Sequence, residues 1–206
     1  MAINTVIFDL DGTLSDSALL TIEALKTIAP KQGLPLPSEE AIRRATGNAT
    51  PEFYYILFPG FDRDLVYKAG TLVEEEELRI LPALSGWLLF PGCRELLVHL
   101  KKSGISLHIA STGSREHVFS VVNATGIGAY FDSINCGRSD KTEMVGEIIK
   151  NKNEVFFVGD MKKDYEAART NGIVSVGACY GYCVKELSGF DFYINSPLEL
   201  IGMIEK

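Results

Sequence analysis

From Phe90 onward the chain alternates short apolar runs with helical segments, and no other feature limits its fold so tightly. "ISLHIAS", "FDSINCG", "EVFFVGD" and "IVSVGA" read as strands, and "DFYINS" as a last short one. Between them, the stretch from about Gly92 to Lys102, "SREHVFSVVNATG", "TEMVGEIIKN" and "DYEAARTNG" read as helices, with "PLELIGMIE" a final helix. Strands that are apolar throughout are buried on both faces, and strands separated by helices pair in parallel. Val6, Ile7 and Phe8, in "TVIFDLDGTLSDS", have the same character and belong to the same sheet. The predicted fold class is α/β, a parallel sheet between two layers of helices.

The texture changes after Leu14 and stays helical to about Leu84. "DSALLTIEALKTIAPKQG" places Leu19, Ile22, Leu25 and Ile28 on one face, with Asp16 or Ser17 as N-cap and Gly33 as the stop. Ser38 caps "SEEAIRRATG", and Thr50-Pro51 opens "TPEFYYILF" with the proline in the first turn. Asp62 begins a longer segment whose "VEEEELRIL" reads as a solvated face. The predicted division is a core of residues 1–14 and 88–206, interrupted by a helical cap at 15–87.

At 206 residues the chain can bury a sizeable core, and its net charge of −7 argues against nucleic acid or an anionic membrane as a partner. No apolar run approaches the ~20 residues of a membrane span, and no basic, apolar leader precedes the first strand, so a cytoplasmic location is expected. Cys93, Cys136, Cys179 and Cys183 fit neither a zinc site nor a disulfide framework and read as small hydrophobes or surface thiols.

The polar residues fall at strand ends. VIF is followed by Asp9 and Asp11, LHIA by Ser111 and Thr112, and VFFVG by Asp160 with Asp164 four residues on. In an open parallel sheet the ligand lies beyond the carboxyl ends, and right-handed crossovers bring those ends to one side. Several carboxylates in one crevice call for a hard cation, and oxygen ligands suit Mg²⁺. Asp9 and Asp11, two apart in an extended stretch, point to the same side, so that one could attack while the other handles a proton. Gly12 lets the backbone turn beside them, and the amides of Gly12 and Thr13 are candidate donors to an oxyanion. Each piece has a plainer explanation: an Asp-Gly turn, a helix N-cap at Ser111-Thr112, a capped turn at Gly159-Asp160, a surface lysine at Lys141. Their joint occurrence in this order does not.

"FDLDGTL", a strand ending in Ser, then a Lys, then "VGDMKKD" resembles the haloacid dehalogenase superfamily over the whole chain. "GDMKKDYEAARTNGI" and "GACYGY" look most like its phosphoglycolate phosphatase branch, which inserts a helical cap after the first motif. The resemblance implies a Rossmann-like, three-layer core and a Mg²⁺-dependent phosphatase. It makes Asp9 the nucleophile and Asp11 the acid–base group, with the Asp11 carbonyl on the metal. Ser111, with Thr112 beside it, and Lys141 would hold the phosphoryl group. Asp160 would ligate Mg²⁺, with Asp164 behind it or reaching it through water. Arg115 and Arg138 could touch substrate or stay solvated. The presence of Asp11 argues against the dehalogenases proper and the phosphonate-cleaving relatives.

The expected partner is a small phosphorylated metabolite, in a monomer or weak dimer. A phosphomutase, a pyrophosphatase or nucleotidase, and a non-catalytic binding protein on the same fold are the alternatives. His99, His108 and His117 read as structural, Phe53-Tyr54-Tyr55 as cap core, and Trp87 and Phe90 as hinge packing. The turn at Gly47-Asn48, between two helices, is the candidate for a loop that reaches the site from a mobile cap.

Overall fold

Each apolar run named above becomes a strand. The computed structural model of the protein describes residues 3–48, 50–150, 154–182 and 188–205. Within them β1 (Thr5–Phe8), β2 (Ser106–Ser111), β3 (Ser133–Cys136), β4 (Val155–Gly159), β5 (Val174–Ala178) and β6 (Phe192–Ile194) form one sheet in the order β3-β2-β1-β4-β5-β6. Every pairing is parallel. The chain runs outward from β1 on one side and returns to start β4 on the other. The strand order therefore reverses between β1 and β4, where open α/β sheets form their crevice.

The side-chain period of two divides the sheet residues between two helical layers. Val6, Phe8, Ile109, Phe156 and Val158 pack with α5 (Cys93–Lys102), α6 (Arg115–Thr125) and α9 (Glu199–Ile204). Ile7, Ala110, Val155 and Phe157 pack with α7 (Lys141–Ile149) and α8 (Lys162–Thr170). The result is the three-layer arrangement expected from uniformly apolar strands.

Residues 18–84 form α1 (Ala18–Lys31), α2 (Glu39–Ala45), α3 (Glu52–Leu57) and α4 (Arg63–Leu84). They enclose a core of their own, with Ile22, Leu25, Ile28, Ile42, Phe53, Tyr54, Val66 and Val73 at its centre. Ser38 Oγ accepts from the Ala41 amide at 3.2 Å, Asp62 Oδ1 accepts from Leu65 at 2.9 Å, and Gly33 takes φ +70° where α1 ends. Two side chains of α1 leave this core: Leu19 and Leu20 pack against the sheet cluster, anchoring the first turn to the core.

Several local expectations change. Pro51 stands at the N-cap of α3, one residue before the first helical position. The acidic run of α4 is not uniformly solvated. Glu76 is buried and pairs with Arg79 at 2.6 Å, and Glu77 is half-buried. A helix of 22 residues that packs on both α1 and α6 has two covered sides, which a single amphipathic stripe does not describe. Trp87 is 76% exposed, so it packs no hinge, whereas Phe90 stacks edge-on against Tyr180 at 5.2 Å. Cys93 is buried and Cys136 and Cys179 are partly so, all three unpaired; Cys183 lies outside the described residues. No helix among the described residues is long and apolar enough to cross a membrane.

Candidate active site

Asp9 follows β1, Ser111 ends β2 and Asp160 follows β4, so three strand ends meet at the crevice. Lys141 opens α7, and Asp164 lies in the first turn of α8. All five are buried, Asp160 and Asp164 completely. Lys141 Nζ donates to Asp9 Oδ1 at 2.7 Å and to Asp164 Oδ1 at 2.5 Å. Asp9, Asp160 and Asp164 each bring a carboxylate oxygen within 4.8 Å of the others. One ammonium among three buried carboxylates leaves net negative charge with little water to screen it.

The protonation tendencies reflect that excess. Burial pushes Asp9 up, and Asp164 and Asp11 push it further, against the pull of Lys141 and Lys163. Burial, with Asp164 and Asp9 beside it, holds Asp160 well above the ordinary carboxylate range. Lys141 moves the opposite way to burial: Asp164 and Asp9 hold its ammonium charged. Lys141 is charged and paired, while Asp9 and Asp160 stay in an excess of negative charge, as expected of a donor set that suits a hard cation.

Such an ion would draw on Asp9 and Asp160. Asp160 Oδ2 accepts from the Tyr182 amide at 2.7 Å and its Oδ1 from Thr13 Oγ1 at 3.3 Å, which orients the carboxylate. Asp164 has both oxygens engaged, Oδ1 by Lys141 and Oδ2 by the Met161 amide at 2.9 Å. It is therefore better placed to orient Lys141 than to bind an ion directly. The Asp11 side chain stands outside this group.

Asp11 is held instead by Ser17 Oγ at 2.5 Å and His117 Nε2 at 2.9 Å, both on Oδ1. Burial would raise its pKa, but His117 and the Ser17 hydrogen bond bring it below the ordinary value. Ser17 occupies the N-cap of α1 without capping it, because its hydroxyl is spent on Asp11. Gly12 takes φ +84°, and a Cβ there would lie 2.4 Å from Asp160 Oδ2, so the turn requires glycine. The two amides expected to face an oxyanion do not. Gly12 N donates to Ser15 O at 2.8 Å and Thr13 N to Leu10 O at 3.3 Å, because the tight turn closes on its own carbonyls.

Ser111 Oγ accepts from the Gly113 amide at 3.1 Å, which leaves its hydroxyl proton to donate. Thr112 is at the crevice with its hydroxyl engaged: it donates to Gly47 O at 3.2 Å and accepts from Lys163 Nζ at 2.7 Å. Lys163 also donates to Gly47 O at 2.7 Å. The Gly47 turn thus meets the site, though Asn48 turns its amide inward to Ala45 O at 2.7 Å. Arg115 lies over Phe119, and Arg138 pairs with Glu147 at 2.7 Å.

Lys163 is the residue that sequence reasoning passed over, and His117, read there as structural, meets Asp11 at the crevice. His117 sits in the first turn of the helix after β2, and that position near a strand end was the available signal. Lys163 stands inside "GDMKKD" between two acids already singled out. His99 pairs with Glu205 at 2.9 Å, and His108 lies in β2 beside Ser133 at 2.8 Å, both structural.

Between the helical insert and the sheet edge lies a cavity of about 500 Å³, bordered by Asp11, His117, Gly47, Asn48, Glu77 and Arg138 among others. Two predictions arise from its walls. Gly47 takes φ +99°, and a Cβ there would stand 2.8 Å from Met161 Sδ and 2.9 Å from Lys163 Nζ. Gly47→Ala should therefore push the turn away, costing about 1–2 kcal/mol of stability and altering the ranking of substrates more than turnover of an unselective aryl phosphate. Parallel losses on all substrates would refute a selective role for the turn.

Burial raises Glu77 to about 7, though Thr21 donates to it at 2.5 Å. A carboxyl whose folded pKa is raised keeps its proton longer when folded, so its contribution to stability is lost as pH climbs from the unfolded value to about 7. Glu77→Gln should stabilise the protein more at pH 8 than at pH 5, by about 2 kcal/mol or less given partial exposure. Urea melts at the two pH values would show it, and an equal effect at both would contradict it.

A sequence profile for the family described as haloacid dehalogenase-like hydrolase matches residues 6–178. Phosphoglycolate phosphatase from Synechococcus elongatus is 25% identical over 98% of this chain and 97% of its own length. The enzyme of the same name from Vibrio parahaemolyticus is 27% identical over 98% and 96%. Among solved structures, a haloacid dehalogenase-like family hydrolase from Streptococcus pneumoniae superposes with TM-score 0.82 at 22% identity, covering 98% of both chains. A beta-phosphoglucomutase from Clostridium difficile superposes with TM-score 0.78 at 19% identity, over 98% of this chain and 96% of its own.

Proposed function

Given that this chain belongs to the haloacid dehalogenase-like hydrolases, we propose that it is a Mg²⁺-dependent phosphatase of a small phosphate monoester, of the phosphoglycolate kind, working through an aspartyl-phosphate on Asp9. The observation that carries this reading is the division of labour between two neighbouring acids. Asp9 lies in the carboxylate group with Lys141, while Asp11 is held outside it by Ser17 and His117. Two carboxyls in different environments suit different roles.

Asp9 is placed to form a bond to phosphorus through its second oxygen, since Oδ1 is held by Lys141. Lys141 offsets charge on nucleophile and phosphoryl group, and Ser111 has a hydroxyl proton to give a phosphoryl oxygen. Asp11, which His117 and Ser17 favour as the carboxylate, must first take up a proton from solvent in the cavity; it delivers that proton to the leaving alcohol as the ester P–O bond breaks, and then takes one from the water that hydrolyses the acyl phosphate. Mg²⁺, held by Asp9, Asp160 and the Asp11 carbonyl, would supply neutralising charge to the phosphoryl oxygens. The helical insert acts as a cap over the cavity, and the small volume suits a metabolite rather than a polymer.

A panel of small phosphomonoesters with Mg²⁺, read by release of inorganic phosphate, tests the reading. Phosphoglycolate-like esters should be turned over with stoichiometric phosphate. Return of an isomeric phosphosugar with little free phosphate would make the protein a mutase instead. No turnover of any ester would reject both.

A further inference from the structure

We propose that His117 is the positioning residue for Asp11, setting which oxygen of its carboxyl meets the leaving group; this rests on the phosphatase reading above. Both donors to Asp11, Ser17 Oγ and His117 Nε2, take the same oxygen, Oδ1. No hydrogen bond from the described residues reaches Oδ2, and Asp11 borders the cavity. Oδ2 is therefore the oxygen presented to the ester. Ser17 comes from the start of the helical insert and His117 from core helix α6, so the carboxyl is fixed from two sides that share no local sequence.

Nothing about packing alone demands the histidine. The apolar stripe of α6 is carried by Val118, Val121 and Val122, which sit in the sheet core. His117 projects to the cavity instead, and its backbone amide is already satisfied by Ser114 Oγ at 3.1 Å. Its imidazole stands in the field of Asp11 and of Glu77 and Glu74, the last two from α4 of the insert. A planar N–H donor with little rotational freedom fixes a carboxyl better than a mobile ammonium would. A side chain placed this way governs proton delivery without itself touching phosphorus.

The chemistry provides a readout that a merely structural role would not move. A nitrophenolate leaves without a proton, whereas an alkoxide must be protonated as it departs, so only the alkyl ester depends on how Asp11 is aimed. The measurement is rapid-quench release of alcohol in the first turnover, from p-nitrophenyl phosphate and from glycerol 2-phosphate, by the full-length protein with Mg²⁺. In His117→Leu, release of glycerol should fall about 100-fold and release of nitrophenol less than about 3-fold. His117→Gln, whose amide can offer an N–H to the same oxygen, should recover about tenfold of the glycerol loss. Should His117→Leu fail to fold, the glutamine variant and Ser17→Ala decide, each expected to slow glycerol release more than nitrophenol release. Equal losses on both esters, or undiminished glycerol release, would overturn the positioning role. Failure of the wild-type protein to release alcohol from these two esters and from every other small phosphomonoester of the panel would instead overturn the phosphatase reading.

Discussion

Asp9→Asn is expected to lower turnover by about 10⁴-fold or more while the protein stays folded, the scale on which loss of a nucleophile is felt. An amide cannot form an acyl phosphate, and it offers a metal a neutral oxygen in place of a charged one. The fold should tolerate the change. Asp9 belongs to a carboxylate group that one lysine cannot neutralise, and burial already disfavours its charge. Lys141 keeps its 2.5 Å bond to Asp164, and an asparagine oxygen can still accept the second. The melting temperature should therefore stay within a few degrees of wild type or rise. Kinetics and thermal melts on one preparation check both halves. Full activity in the variant would dismiss the covalent mechanism, and collapse of the fold would mean that Asp9 is chiefly structural.

Removal of divalent metal should have the second large effect. With EDTA the activity should disappear and return on adding Mg²⁺, while Ca²⁺ should restore little, because it takes more ligands at longer distances and loosens the in-line geometry. Stability supplies a readout independent of turnover. Asp9 is raised by burial and by Asp164 and Asp11, and Asp160 by burial and by Asp164 and Asp9, so an ion between them removes a penalty present without it. At Mg²⁺ about 100-fold above its dissociation constant, stabilisation of about 2.7 kcal/mol is expected. Asp160→Asn should lose most of that gain, whereas Asp164→Asn should lose Lys141 alignment, since its two oxygens already serve Lys141 and the Met161 amide. Metal-independent turnover at the full rate would contradict the role given to Asp160.

What the sequence by itself determined is whatever depends on near neighbours. Uniformly apolar runs such as Val6-Ile7-Phe8 and "VFFVG" could only be strands buried on both faces, and the intervening helices forced parallel pairing. Because strand ends in such a sheet lie on one side, the convergence of Asp9, Ser111 and Asp160 followed from topology. The caps at Ser38 and Asp62 were legible for the same reason, being contacts three residues apart. Only the tertiary structure decided the partners. That Gly12 and Thr13 spend their amides on the turn depends on how Leu10 and Ser15 close around it, which residue types do not specify. His117 reaching Asp11 spans 106 positions, and Lys163 reaching Gly47 spans 116; neither leaves a periodic signal. The two covered sides of α4 arise because one helix touches both the insert and α6, so Glu76 and Glu77 were misread as solvated. Periodicity reports which face of an element is buried, but it takes the assembled fold to say against what.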